Sequence, residues 1–355
     1  MTGGGREWEI AGEGDLVAWS PGIVEARFAG WRPPGPVDVS VCVQTYQHVP
    51  YIDTCLQKIC TQQTDFTYEV LVGEDASTDG TRAICLEWAQ RYPDRIRLLL
   101  HDRTQVISIN GVATGRFNLL TNLRRAQGRY IAFCEGDDYW RDPLKLQKQV
   151  EFLDAHPGHM FAYHDAVEVD ERGTESNRRL LGPTLCYDRP RERVVAGDGM
   201  PTASVIFRRE LIDRLPPGFR KVMNADTYLF SFGGQFGRAG YVDVAPSCYR
   251  VHSGGIWSIR SQIFRLRSNL HTFQTLYPDL QHDFRPIVGY QISRGYNRLI
   301  GSLVRAGEWR EAARTAAAYL AYCGRVLGPR SVIYQLRWHA SVSRRWFAPR
   351  TKARC

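Results

Sequence analysis

Three carboxylates fall within four residues at Glu135, Asp137 and Asp138, directly after the apolar run 131–134. Negative charges this close repel, and at neutral pH they need a proton or a counter-charge. A divalent cation meets that need. Hard oxygen ligands suit Mg2+ or Mn2+, which keep part of their water shell and share coordination with a phosphate. A strand ending at the triplet would fix the carboxylates, and a diphosphate could complete the shell. The competing account is a solvated acidic loop ahead of a helix capped by Asp142. A second acidic pair, Glu74 and Asp75, closes the apolar run 68–73 and precedes Ser77, Thr78 and Asp79, a turn-and-cap pattern. Either acid could accept a hydrogen bond from a nucleobase N–H or a ribose hydroxyl, or the stretch could be a plain strand–turn–helix with a capping acid.

The elements that must hold these acids follow from hydrophobic period. Residues 37–43 alternate and predict a strand. Ile52, Leu56 and Ile59 predict a helix face. Residues 68–73 and 96–100 predict short strands. The helix between them opens at Ser77 or Asp79, with Ile84 and Trp88 on one face. Leu119, Leu123 and Ala126 predict a helix that stops at Gly128, and 130–134 the next strand. Asp142 as cap, Pro143 at the first helical position and Leu146, Val150 and Leu153 facing inward predict another helix. Such alternation implies a mostly parallel sheet with helices on both sides, and ligands bind such sheets at the carboxyl ends of strands. The polar tips 44–48, 73–80 and 134–140 should therefore converge. The second half is less regular. Residues 160–173 predict a strand hairpin, 172–199 a charged irregular excursion, 202–213 a strand turning into a helix, and 224–237 a helix start and loop. Residues 241–258 predict a strand and a mobile Gly-rich loop, and the chain after Ser258 reads as helical.

The 355 residues, 43% hydrophobic, suffice for one large domain or two. No run of eighteen apolar residues occurs, and the first residues lack the basic start and apolar core of a secretory signal. Nine cysteines, scattered singly without a C-x-x-C pair, indicate neither a zinc site nor a disulfide framework. A cytoplasmic protein is expected. The formal net charge is +9, and only five of the 46 basic residues are lysine. Residues 325–355 carry eight basic residues and no acidic one, interleaved with Trp338, Trp346 and Phe347. That tail could touch an anionic membrane surface, giving peripheral contact with the cytoplasmic face. It could instead pack as a helix or be a disordered basic end. No recognition motif accompanies the charge, so nucleic acid is not an expected partner. Residues 1–36, Gly-rich and closed by the stiff 31–36, predict an extension or separate flap.

Four segments, VSVCVQTYQ (39–47), EVLVGEDASTDGT (69–81), LRRAQGRYIAF (123–133) and EGDDYWRDPLKL (135–146), stand in the order and spacing of family 2 glycosyltransferases. The chain resembles these inverting GT-A enzymes over about residues 37–260, more weakly in TASVIFRR, NADTYLF and YRVHSGGIWS. The resemblance implies an α/β GT-A (Rossmann-like) domain, with a mostly parallel central sheet flanked by helices. Residues 37–158 would be its nucleotide-sugar half and 159–260 its acceptor half, followed by a helical C-terminal region, 261–355.

The resemblance also implies roles. Thr45 and Tyr46 match the strand tip near base and ribose, Glu74 the acid on a uracil or thymine ring with Asp75 beside it, and Arg116 an arginine near base and phosphates. Glu135, Gly136 and Asp137 occupy the D-x-D position, with Asp138 next. Asp137 would bind Mn2+ or Mg2+. Asp226 would be the general base. His252 would bind the diphosphate or serve as a further metal ligand. Arg250 and Ser258 would help the loop close, with Gly254 and Gly255 letting it move. Glu135 stands where aspartate is commoner, Gln44 where proline is usual, and Ala225 where an acid is common. The implied reaction moves a sugar from a nucleotide-diphosphate sugar to a hydroxyl of a saccharide, lipid-linked or small-molecule acceptor. A nucleotidyltransferase would need a Gly-rich basic phosphate loop after its first strand, and residues 43–52 hold neither glycine nor lysine. A non-catalytic nucleotide-sugar-binding protein is the third account.

Overall fold

Strands buried on both faces need apolar side chains at nearly every position, and the runs 39–43, 70–72 and 96–100 meet that demand. The computed structural model describes residues 14–20, 22–31 and 35–327. The chain divides into two compact units, Met1–Ile259 and Arg260–Cys355. In the first, a hairpin of β1 (Gly14–Ser20) and β2 (Ile23–Phe28) leads into β3 (Val39–Thr45), α1 (Ile52–Cys60), β4 (Tyr68–Glu74), α2 (Thr81–Arg91) and β5 (Ile96–His101). A small hairpin, β6 (Ile107–Ile109) and β7 (Val112–Thr114), precedes α3 (Arg116–Arg125), β8 (Tyr130–Phe133) and α4 (Lys145–Ala155). Then come β9 (His159–Tyr163), β10 (Ala166–Val169), β11 (Glu175–Arg179), α5 (Arg191–Val195), β12 (Ile206–Arg208), α6 (Ala225–Gly233), β13 (Arg238–Tyr241) and β14 (Ser247–Arg250).

The main sheet has the order β1-β2-β5-β4-β3-β8-β12-β9-β13. Its centre, β5-β4-β3-β8, is parallel, while β2 and β12 run antiparallel to their neighbours. Thr45 lies abreast of Glu74, and Cys42 of Phe133, so three polar strand tips emerge along one edge. The inward face of α1 (Ile52, Leu56, Ile59) and that of α4 (Leu146, Val150, Leu153) join the core under this edge.

Several expectations shift. Residues 14–28 are not a separate flap: β2 pairs with β5 from Ile23↔His101 to Ala26↔Leu98 and extends the sheet. A buried polar row secures it. Arg97 donates to Glu25 at 2.9 Å and to Glu69 at 3.1 Å, and Ser40 donates to Glu69 at 2.6 Å. Gly128 does not cap a helix, because α3 already ends at Arg125. Its N–H donates to Ser40 Oγ at 2.8 Å, and a Cβ there would stand 2.5 Å from the Ser40 nitrogen. The buried face of α3 includes Asn118 and Asn122 besides Leu120 and Leu123. Asn118 donates to the Gly73 carbonyl at 2.7 Å and Asn122 to that of Val43 at 3.0 Å, satisfying strand-end acceptors that an apolar face would orphan. The expected hairpin at 160–173 is two sheets. After β9 the chain crosses to a three-stranded sheet, β11-β10-β14, and the hairpin is β10–β11. Asp165 makes the switch, accepting from the Ala166 and Leu181 amides. The helix α4 starts at Lys145, with Asp142 accepting from Leu144 N at 2.8 Å.

The described residues of the second unit include the helices α7 (Gln262–Leu276), α8 (Arg285–Arg305) and α9 (Trp309–Tyr322), with Ser261 capping α7. Val288, Ile292, Tyr296, Leu299 and Leu303 form the buried stripe of α8. No helix among the described residues is long and apolar enough to cross a membrane. The expected membrane contact of the basic tail falls on 328–355, outside the described residues.

Candidate active site

The first strand tip is fastened to the turn after β4. Gln47, at φ 56°, exposes its N–H to Ser77 Oγ (3.0 Å). His48 N donates to Thr81 Oγ1 (2.8 Å), and Val49 N to Asp79 (3.0 Å). The Ser-Thr-Asp-Gly-Thr stretch therefore serves the neighbouring loop more than a helix cap. Across from it stands the acid triplet. Gly136 N donates to Gln44 O at 3.0 Å, and a Cβ on Gly136 would lie 2.7 Å from Thr45 Oγ1 and 3.0 Å from His48 Nδ1. Only a glycine lets the two tips approach this closely.

Asp137 sits at the meeting point. Its Oδ2 lies 3.0 Å from His252 Nε2 and 3.9 Å from His48 Nε2. Ligand atoms of His48, Asp137 and His252 stand within 4.8 Å of one another, as do those of Glu135, Asp137 and Asp138. Burial would raise the Asp137 pKa, but the His252 hydrogen bond and the His48 charge outweigh it and hold the carboxylate below its usual range. Burial lowers the pKa of His48, against the pull of Asp137. Glu135 keeps solvent exposure, yet desolvation in the cleft and the charges of Asp137 and Asp226 push it up to about 8. The donor set, carboxylates with imidazole nitrogens, fits a divalent cation of the Mn2+ type.

Asp138 has a different task. It is buried, and its Oδ1 accepts from Arg250 N at 2.9 Å. Arg250 turns its guanidinium to the carbonyls of Asp137 (3.0 Å), Asp170 (2.9 Å) and Glu171 (3.0 Å). It clamps the triplet to β14 and the turn after β10. Ser258 Oγ donates to the His252 carbonyl at 3.3 Å, closing the loop around Gly254 and Gly255. Asp170, Glu171, His252, Ser253 and Ser258 border a cavity of about 520 Å³.

Glu74, expected to face a base, is fully buried and holds Ser77 N (2.6 Å) and Arg82 Nε. Asp75 is linked to the exposed Tyr46 through Arg103. Arg103 bonds Asp75 at 2.8 Å and stacks 4.0 Å above the Tyr46 ring. Desolvation raises the Asp75 pKa, opposed by Arg103. Arg116 is also buried: it donates to the carbonyls of Val222 (2.7 Å) and Met223 (3.1 Å), just before α6. Burial lowers its pKa to about 10, although Asp226 and Glu135 oppose the change. Asp226, in the first turn of α6 and half-buried, accepts from Thr202 at 3.1 Å and from Thr227 N at 2.6 Å. Asp226 and Glu135 both act on the Arg116 charge, so the candidate base lies on the same side of the sheet edge as the triplet's first acid.

His48 and Arg103 escaped the sequence reading. His48 lay in a polar tip already singled out, and its position between a strand end and a helix start was the available signal. Arg103 follows β5 with no motif around it.

Residues 40–215 match the family described as Glycosyl transferase family 2. An uncharacterized protein of Mycobacterium tuberculosis is 35% identical over 222 residues, 62% of this chain and 60% of its own length. The chain thus spans about three-fifths of the length of that relative. A putative teichuronic acid biosynthesis glycosyltransferase of Bacillus subtilis, TuaG, is 30% identical over 201 residues, 56% of this chain and 72% of TuaG. Among solved structures, S. aureus TarS 1–349 in complex with UDP-GlcNAc aligns over 83% of this chain and 82% of its own, with TM-score 0.61 and 16% identity. A mannosyltransferase from Pyrobaculum calidifontis, in complex with GDP-Man and Mn2+, aligns over 88% and 83%, with TM-score 0.55 and 22% identity. Both likenesses concern the fold. From the TuaG similarity and the matched segment, the chain belongs to glycosyl transferase family 2.

Proposed function

We propose that the protein transfers a sugar, with inversion, from a nucleotide-diphosphate sugar to an acceptor hydroxyl, with Asp226 as general base. What supports this reading is the setting of Asp226 in the first turn of α6, held by Thr202 and the Thr227 amide, just after residues 222 and 223, whose carbonyls Arg116 of α3 binds. The solved mannosyltransferase and TarS complexes, which hold nucleotide sugars on this fold, support the donor class. Asp137 and His252 would hold a divalent cation, Mn2+ or Mg2+. Such an ion, when bound, supplies Lewis-acid stabilisation to the departing diphosphate. Asp226 takes the proton of the acceptor hydroxyl as that oxygen bonds to the anomeric carbon from the face opposite the diphosphate. The anomeric C–O bond to the diphosphate breaks, and its electron pair leaves with the phosphate oxygen. Thr202 and Thr227 N orient the base. Tyr46, with Arg103 and Asp75, forms the surface for the base of the nucleotide.

Asp226→Asn tests the role directly. General-base assistance contributes about 10²–10⁴ in rate, so turnover falls by that factor while nucleotide-sugar binding is retained. A variant with wild-type turnover refutes the assignment. Failure of both forms to turn over any donor, with binding intact, indicates a binding protein instead.

A further inference from the structure

We propose that His48 is a third protein ligand of the divalent cation, completing with Asp137 and His252 a face of two imidazoles and one carboxylate. The inference rests on the reading that a cation binds at Asp137, and goes beyond it in assigning the first strand tip to the metal.

In an octahedral shell with ligands about 2.1 Å from the ion, cis ligands stand about 3 Å apart and trans ligands about 4.2 Å. The His252–Asp137 separation of 3.0 Å fits a cis pair. The His48–Asp137 separation of 3.9 Å is too long for a hydrogen bond and lies between those two values. All three ligand atoms lie within 4.8 Å of one another, so a small inward movement completes the face. The ring planes of His48 and His252 stand at 82°, with centroids 6.0 Å apart, so the two rings approach edge-on rather than stacking.

The surroundings of His48 are those of an oriented ligand. Its Nδ1 lies 3.3 Å from Thr45 Oγ1, so Nε2 is the nitrogen that faces Asp137. A partner on the far ring nitrogen fixes ring and tautomer, as second partners of metal-bound histidines do. The backbone on both sides is pinned by Ser77, Asp79 and Thr81. That gives the Ser-Thr-Asp-Gly-Thr turn a function: it aims an imidazole across the cleft. Gly136 leaves the space in which that ring approaches the triplet. Two imidazoles bias the site toward Mn2+ over Mg2+, because nitrogen donors bind transition ions better than the harder ion.

The test is Mn2+ binding by electron paramagnetic resonance, with Mn2+ alone and with UDP or GDP added. Wild type, Asp137→Ala, His48→Ala, His252→Ala and the double histidine variant are compared. Loss of an orienting partner alone lowers metal affinity about 10–100-fold, so His48→Ala should weaken Mn2+ by at least about tenfold. Nitrogen hyperfine coupling to bound Mn2+ should persist in His252→Ala, where His48 supplies it, and vanish in the double variant. Its absence from His252→Ala overturns the proposal, whether or not His48→Ala folds. So does a folded His48→Ala with wild-type affinity. If Asp137→Ala loses Mn2+ while His48→Ala does not, the third-ligand inference fails and the cation site stands. If wild type binds no Mn2+, or Asp137→Ala binds it normally, the cation reading falls and takes this inference with it.

Discussion

Replacing Gly136 with alanine tests whether the cleft depends on close approach of two strand tips. The added Cβ would stand 2.7 Å from Thr45 Oγ1, 2.8 Å from Thr45 Cβ and 3.0 Å from His48 Nδ1. Carbon atoms rest at about 3.5–4.0 Å, so one side must yield by about 0.7 Å or more. Neither yields freely. Gly136 N is tied to Gln44 O at 3.0 Å, and Thr45 O accepts from Asp75 N at 3.1 Å. Overpacking of this kind costs about 1–3 kcal/mol. In a domain this large, each kcal/mol lowers Tm by about 2–4 °C, so a fall of about 2–12 °C is expected. The same displacement lengthens the His48–Asp137 separation of 3.9 Å, and Mn2+ affinity should fall with it. The assay is thermal unfolding with and without Mn2+, with Gly158→Ala as control, since no atom lies within 4 Å of a Cβ there. Wild-type Tm and Mn2+ response in Gly136→Ala would refute the reasoning.

Two further expectations concern the scaffold. Glu25→Ala leaves Arg97 buried with part of its charge uncompensated, so chemical denaturation should show a loss of about 3–5 kcal/mol; a loss under about 1 kcal/mol would mean the β2 hairpin is not secured by this row. Burial lowers the His101 pKa to about 4, with Arg82 adding to the shift, so the folded protein binds its proton less readily than the unfolded chain. The stability is therefore fully present above about pH 6.5 and is lost as pH falls toward 4, amounting to about 2 kcal/mol at pH 5. His101→Phe should flatten that part of the stability–pH curve between pH 7 and 5, and an unchanged slope counts against it.

The parallel centre was legible because its strands carry near-continuous apolar runs and its helices start and stop at recognisable residues. Leu146, Val150 and Leu153 face the core as their spacing required. The misread parts have polar causes. Breaker residues at 31–36 suggested separation, but β2 joins the sheet through Glu25, a buried acid that period alone marks as outward. Asn118 and Asn122 face inward to serve strand carbonyls, which an apolar template cannot foresee. Asp137 was visible as one of a cluster of like charges. The partner histidines are 89 and 115 residues away in sequence from it, and only the sheet order brings them together. The roles of Glu74, Asp138 and Arg250 in holding backbone were hidden because a motif does not say which way a side chain turns.

The central claim is that Asp137 and its neighbours hold a cation that grips the donor diphosphate. Calorimetric titration of UDP, GDP and dTDP into the wild-type protein, with Mn2+ and then with a chelator, measures it directly. At least one nucleotide should bind with Mn2+ and lose affinity when the chelator removes it, and Asp137→Ala should abolish the difference. Nucleotide binding of equal strength with the chelator present, or a metal dependence that survives in Asp137→Ala, would contradict the account.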